Sequence, residues 1–240
     1  MTHVKNTEAF ARLIGFCTGY GGKYNPGRPN LQMDALVNKL TETQLAIEHV
    51  KIAKTSFDNG VNQRKQTFDQ VSNLVSSILR TLEASGAKPE KVEDARMFAH
   101  QIFGSSPKNR PPLPAAANTE KPPAKRSQLQ LAYVSKADAF SKLVKAVSSE
   151  PTYQPREHEF ANAGLEEKVQ ELNMLNRSVA DARGAWRKAI IDRNESMYSM
   201  ETSMIKTAQA VKKYVRAVYG PASAQYALIK SLEFNHPSKT

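Results

Sequence analysis

Three stretches of the chain hold residue types in patterns that chemistry uses. Gly21-Gly22-Lys23 places glycines before a lysine, as in a loop whose backbone amides and lysine cradle phosphates. That chemistry also needs Ser or Thr after the lysine and a strand before the glycines. Here Tyr24 follows, Cys17 stands where the first required glycine belongs, and no strand pattern precedes it. The glycines read instead as a turn between a first helix and the next loop.

The five histidines, His3, His49, His100, His158 and His236, are scattered and lack the four-residue pairing that would put two on one helix face. A zinc site needs three or four converging ligands, and Arg156-Glu157-His158-Glu159 offers one imidazole. Cys17 is the only cysteine, so no intrachain disulfide can form. No nucleophile signature surrounds it, and an apolar helix makes it a small core residue. Carboxylates pair only as Glu93-Asp94 and Glu166-Glu167 on helix surfaces. No catalytic residue, cofactor or metal ligand is predicted.

The remaining stretches are basic. "IKTAQAVKKYVRAVYG", residues 205–220, sets Lys206, Lys212, Lys213 and Arg216 beside Tyr214 and Tyr219, a mixture that can grip phosphates and stack bases. Val211, Val215 and Val218 share a face, however, so the lysines are expected on a solvated side. The segment "GSSPKNRPPLPAAANTEKPPAKRSQLQ", from Gly104 to Gln130, adds Lys108, Arg110, Lys121, Lys125 and Arg126. Its six prolines fix the backbone and remove amide donors, which predicts an extended, partly polyproline-II tether. These tether residues, with Lys212, Lys213 and Arg216, are the candidate polyanion contacts.

The elements that must position such groups follow from composition and periodicity. The chain has 240 residues, 40% of them hydrophobic, and a formal charge of +11. Residues 1–104 carry 13 Lys/Arg against 10 Asp/Glu, residues 105–131 carry 5 against 1, and residues 132–240 carry 16 against 12. Only the middle segment concentrates charge, whereas a dedicated DNA reader clusters it on one folded element. No run approaches the ~18–20 apolar residues of a membrane-spanning helix. The N-terminus has no secretory pattern, and a cytoplasmic setting is expected.

On either side of the middle segment the sequence repeats. At an offset of 129, Tyr24 and Pro26 match Tyr153 and Pro155; Leu36, Lys39 and Glu42 match Leu165, Lys168 and Glu171. Val50, Ala53 and Arg64 match Val179, Ala182 and Arg193, while Phe57 falls on Trp186 and Val61 on Ile190. One residue further off, Glu8-Ala9-Phe10 and Leu13 match Asp138-Ala139-Phe140 and Leu143. Agreement over some forty residues without a gap points to duplication, which decides architecture.

From Leu36 to Phe68, and from Leu165 to Met197, apolar residues step by four and three along one helical stripe. A helix over about 32–66 would be about 50 Å long. Asn59-Gly60 suggests a break, but the matched Lys188-Ala189 has no turn chemistry, so the helix is read as continuous. Further helices are predicted at 69–84 and 200–218, stopped by Gly86 and Gly220, and at 89–103 and 222–232. Opening helices are expected at 5–18 and 135–149. Tyr24-Asn-Pro and Tyr153-Gln-Pro mark one corner used twice, with the hydroxyls expected toward solvent. Arg64 and Arg193 lie on the apolar stripe. Each must snorkel out or find acceptors; a structural arginine bonded to a helix end or carboxylate is the economical reading, and a paired anion site is the alternative.

The order F-x-x-L, Y-x-P, a long helix ending near "ARGAWRKAIIDRNESMY", then "VKKYVRAVYGPASAQYALIKSLEF" resembles an uncharacterised family of internally duplicated, all-helical bacterial proteins. The resemblance covers most of the chain and is clearest in the second copy. It implies that duplication is a family property, and supplies no catalytic residue, ligand or substrate. The expected architecture is an all-α helical bundle or bundles, with a first repeat at 1–104, a linker at 105–131 and a second repeat at 132–240. The repeats are expected in pseudo-twofold relation, each with one long helix. The expected role is a non-enzymatic scaffold or interaction protein, with protein partners or self-association. Nucleic-acid or other polyanion binding is the alternative.

Overall fold

The computed structural model describes residues 2–104, 125–199 and 201–236, and of 125–131 the backbone alone. The order is α1 (Thr2–Gly19), α2 (Met33–Ala84), α3 (Pro89–Phe103), α4 (Lys125–Ser148), α5 (Asn162–Asn194), α6 (Met204–Tyr219) and α7 (Ala224–Lys230). Among the described residues there is no strand. The chain divides into two compact units, Met1–Phe57 with Arg183–Thr240, and Asp58–Ala182.

The first unit is built on amphipathic spacing. α1 buries Asn6, Phe10, Leu13 and Cys17, at steps of four and three. α6 buries Met204, Ile205, Ala208, Val211 and Val215, so one stripe faces inward. These residues join Leu31, Leu36, Met197, Ile229 and Leu232 in one core. Ser223 caps α7 by accepting from the Tyr226 amide at 3.1 Å, satisfying one of the unpaired donors of a helix start.

The second unit has its own core, in which Phe68, Val75, Ile78 and Leu82 of α2 meet Ala95, Ala99 and Ile102 of α3. Phe140, Leu143 and Val147 of α4 and Leu165 and Leu172 of α5 complete it. α3 begins with Pro89 at its first position, where a missing amide hydrogen costs nothing. Gly86 (φ 75°) and Gly220 (φ 90°) stop α2 and α6 in the left-handed region, as the glycines predicted.

Several expectations need correction. The break expected near Phe68 in the first copy is absent: α2 continues through it to Ala84, because Val71, Val75, Ile78 and Leu82 extend the buried stripe by another four turns. The helix also runs through Asn59-Gly60, as read from the second copy. In that copy α5 ends in a π-helical turn, Glu195–Ser199, and α6 starts at Met204 rather than about 200. α4 begins at Lys125, so residues 125–131, assigned to an extended tether, are helical. Pro122 and Pro123 are the last prolines before it, and no helix breaker follows them. The prolines of the tether, with Lys108, Arg110 and Lys121, lie outside the described residues.

The two corners are built alike, each within its own unit. Tyr24 N donates to Gly21 O at 3.0 Å, and Tyr153 N to Glu150 O at 3.1 Å. Leu31 N donates to Arg28 O, and Phe160 N to Glu157 O, both at 3.0 Å. Tyr24 Oη donates to the Leu31 carbonyl at 2.7 Å, and Tyr153 Oη to the Phe160 carbonyl at 2.9 Å, seven residues on in both cases. The hydroxyls expected toward solvent are therefore turned inward. A buried phenol needs an acceptor, and the loop closing over the ring supplies one. Pro26 and Pro155 sit in these loops, outside any helix.

Candidate functional site

The densest polar constellation is in the first unit, around Tyr198 on the π-helical turn. Such a turn inserts an extra residue and re-aims the side chains after it. His3 Nδ1 lies 2.7 Å from Tyr198 Oη, and Asn6 Nδ2 lies 3.3 Å from it. Asn6 is fully buried. It also donates to the Asn235 carbonyl at 2.7 Å and accepts from the Asn235 amide at 3.0 Å. The His236 ring stands 5.1 Å from the Tyr198 ring.

Burial, followed by the charge of Arg193, lowers the His3 pKa and favours neutral imidazole. Burial raises the Tyr198 pKa, against Asn6 and Arg193, so the phenol stays protonated. Asn6 donates to the phenol oxygen, and with the His3 proton on Nε2 the phenol donates to Nδ1. The phenol is thus engaged on both sides. The network fastens residues 235–236 to α1, and its chemistry is that of a clasp.

Sequence reasoning missed this cluster because Tyr198 and Asn235 lie 192 residues or more from the α1 residues they meet. One local signal existed: Asn6 occupies the apolar stripe of α1, and a buried amide demands a partner.

The matched arginines part company. Arg193 is half-buried and donates to Asn194 Oδ1 from Nη2 at 2.8 Å and from Nε at 3.2 Å. Arg64 is 5% exposed, and its Nε and Nη1 have no hydrogen-bond partner. The Tyr133 ring covers its guanidinium at 4.3 Å. Asn176 Nδ2 donates to the Tyr133 carbonyl at 3.3 Å, while its own Oδ1 is buried without a partner. Burial lowers the Arg64 pKa. Neither arginine makes the bond to a carboxylate or helix end that the sequence suggested. An amide holds one, and an aromatic face holds the other.

Lys212, expected on a solvated side, is partly buried and donates to the Leu232 carbonyl just beyond α7. Its ammonium also stands 5.3 Å from the centre of the Phe234 ring, a cation–π contact beside the carbonyl bond. Burial lowers its pKa, against Glu233. Lys213 and Arg216 are exposed, Arg216 with its guanidinium 5.9 Å from the Tyr226 ring centre. Lys125 and Arg126 open α4. Phe57 stacks on Trp186 at 5.5 Å with 20° between the rings. Cys17 is 1% exposed, and burial pushes its thiol up to about 12, so it is a core residue as read.

In the second unit a groove of about 660 Å³ lies along α2 and the start of α5, lined by Gln70, Asn73, Ser77, Glu159, Glu167 and Lys168 among others. Within it Lys168 pairs with Glu171 at 2.6 Å, and His158 stands 3.8 Å from Glu167. Among the described residues no three His, Cys, Asp or Glu side chains are grouped to hold a metal ion. None of the described helices is long and apolar enough to cross a membrane. No family model matches the chain, and neither a curated protein nor a solved structure does.

Proposed function

We propose that the chain is a non-enzymatic helical scaffold that engages a protein partner through the outer face of α2 in the first unit. The observation that carries this reading is the exposure of Val37, Leu45 and Ile52, at 47%, 56% and 59%. At 100° per residue the three fall within about 80° of one another and span about 22 Å. Leu45 and Ile52 lie opposite the stripe of Leu36, Leu40, Thr43 and Ile47, and Val37 flanks it. A run of large apolar side chains on an outward helix face is the usual anchor pattern of helix-mediated recognition.

The scaffold is read as two tandem repeats in pseudo-twofold relation. Matched bonds support the duplication: the two tyrosine corners, and the Lys39–Glu42 and Lys168–Glu171 pairs at 2.7 and 2.6 Å. A cytoplasmic setting fits the buried thiol of Cys17. A second reading, polyanion binding, draws on the exposed Lys213 and Arg216.

The test is recovery of the tagged full chain from its native cell, in parallel with the variant Val37→Lys/Leu45→Lys/Ile52→Lys. The expected result is a stoichiometric protein partner held by the wild type and lost by the variant, with helical content and melting unchanged. Equal recovery by both would overturn it. Recovery of nucleic acid alone, weakening steeply with salt, would support the polyanion reading instead.

A further inference from the structure

Neither compact unit is made from one side of the 105–124 segment. The first joins 1–57 to 183–240, and the second joins 58–104 to 125–182. The cores repeat this division. In the first unit Phe10, Leu13 and Leu36 pack with Met204, Val211 and Ile229. In the second, Phe68, Ile78 and Ile102 pack with Phe140, Leu143 and Leu165. Polar contacts follow suit: Ser196 donates to Glu42 at 2.9 Å in the first unit, and Tyr133 covers Arg64 in the second.

Each of the segments 1–104 and 125–240 therefore supplies one part of two cores and completes neither. Apolar surface left uncovered on that scale cannot stay in water as a folded particle.

We infer that the two segments form a complementing pair, and that the buried face of each is an interaction surface whose second partner is the opposite segment of another copy of this chain. In the intact chain the pairing is intramolecular, because a short connection holds the partner at a high effective concentration, on the order of millimolar. When chains refold at comparable concentrations, 1–104 of one copy closes onto 125–240 of the next, and reciprocal exchange gives a closed dimer. Every contact named above is then kept, made between two chains rather than within one.

The experiment uses the full chain with one protease site placed within 105–124. Cleavage of the folded 26.6 kDa monomer should leave both fragments together at the original mass and helical content. Its melting temperature should now fall on dilution, as association becomes bimolecular. The dimer recovered after refolding at millimolar concentration should collapse on cleavage to particles of single-chain mass. Fragments that part after cleavage, whether each stays folded or aggregates, would overturn the pairing. A dimer that keeps its mass after cleavage, or no dimer at any refolding concentration, would overturn the exchange.

Discussion

Arg193 and Arg64 stand 129 residues apart at matched positions of the sequence, one in each compact unit, and their surroundings differ in kind. In the first unit Arg193 is half-open, satisfied by Asn194, and close enough to His3 and Tyr198 to shift both. In the second, Arg64 is sealed beneath Tyr133 with two nitrogens, Nε and Nη1, unmatched. A buried cation without a counter-charge is a liability that cation–π contact of about 2 kcal/mol offsets only in part. The backbone bonds of the two corners thus agree while the surroundings of the two arginines do not. What a matched residue contributes depends on what covers it.

The corners allow the sharpest break in this comparison. Gly164 matches Ala35, yet a Cβ at Gly164 would stand 2.0 Å from the His158 carbonyl oxygen. Gly164→Ala should cost about 3 kcal/mol, because backbone must move to admit one methyl group. Ala35→Gly should cost only about 1 kcal/mol, through helix propensity. Denaturant unfolding of both variants measures the difference. Equal losses would mean that the second corner is no tighter than the first.

The arginines come next. Arg64→Met keeps the length and removes the unpaired charge, so stability should rise by about 1–2 kcal/mol. Arg193→Met loses two bonds to Asn194 and should cost about 1 kcal/mol. Opposite signs in thermal melts sharpen the contrast. A loss at Arg64 larger than at Arg193 would show that the sealed guanidinium is satisfied in solution.

The smallest effect concerns Tyr153. Burial pushes its phenol from an ordinary 10 up to about 12. A raised pKa stabilises the fold fully below pH 10, and that share is lost as pH rises toward 12. Tyr153→Phe should cost about 1 kcal/mol at neutral pH and flatten the alkaline fall in melting temperature. An unchanged alkaline slope would place the titration elsewhere. The same change at Tyr24, whose phenol burial raises further, should flatten the slope at still higher pH.

Much of the helical layout was legible because its causes are local. Gly86 and Gly220 stop helices through their own backbone freedom, and Pro89 starts one. Gly60 was correctly kept helical by comparison with Ala189. The break near Phe68 was misplaced because the end of one repeated stripe was taken for the end of a helix. The buried residues from Val71 to Leu82 carry the same face onward. Lys212 looked like a surface cation beside Lys213, since nothing near it in sequence reveals that Leu232 will offer it a carbonyl.

By itself, the sequence determined the helical periods, the glycine and proline stops, the two tyrosine corners and the burial of Cys17. All but the last rest on interactions within about seven residues, and Cys17 was legible from its apolar helix. Only the tertiary structure decided that the cores draw on both sides of residues 105–124, that His3 and His236 flank Tyr198, and that one arginine is bonded while its counterpart is sealed. Hydrophobic burial is non-directional. An apolar stripe therefore specifies that a helix must be covered, and only packing of the whole chain selects which distant segment covers it.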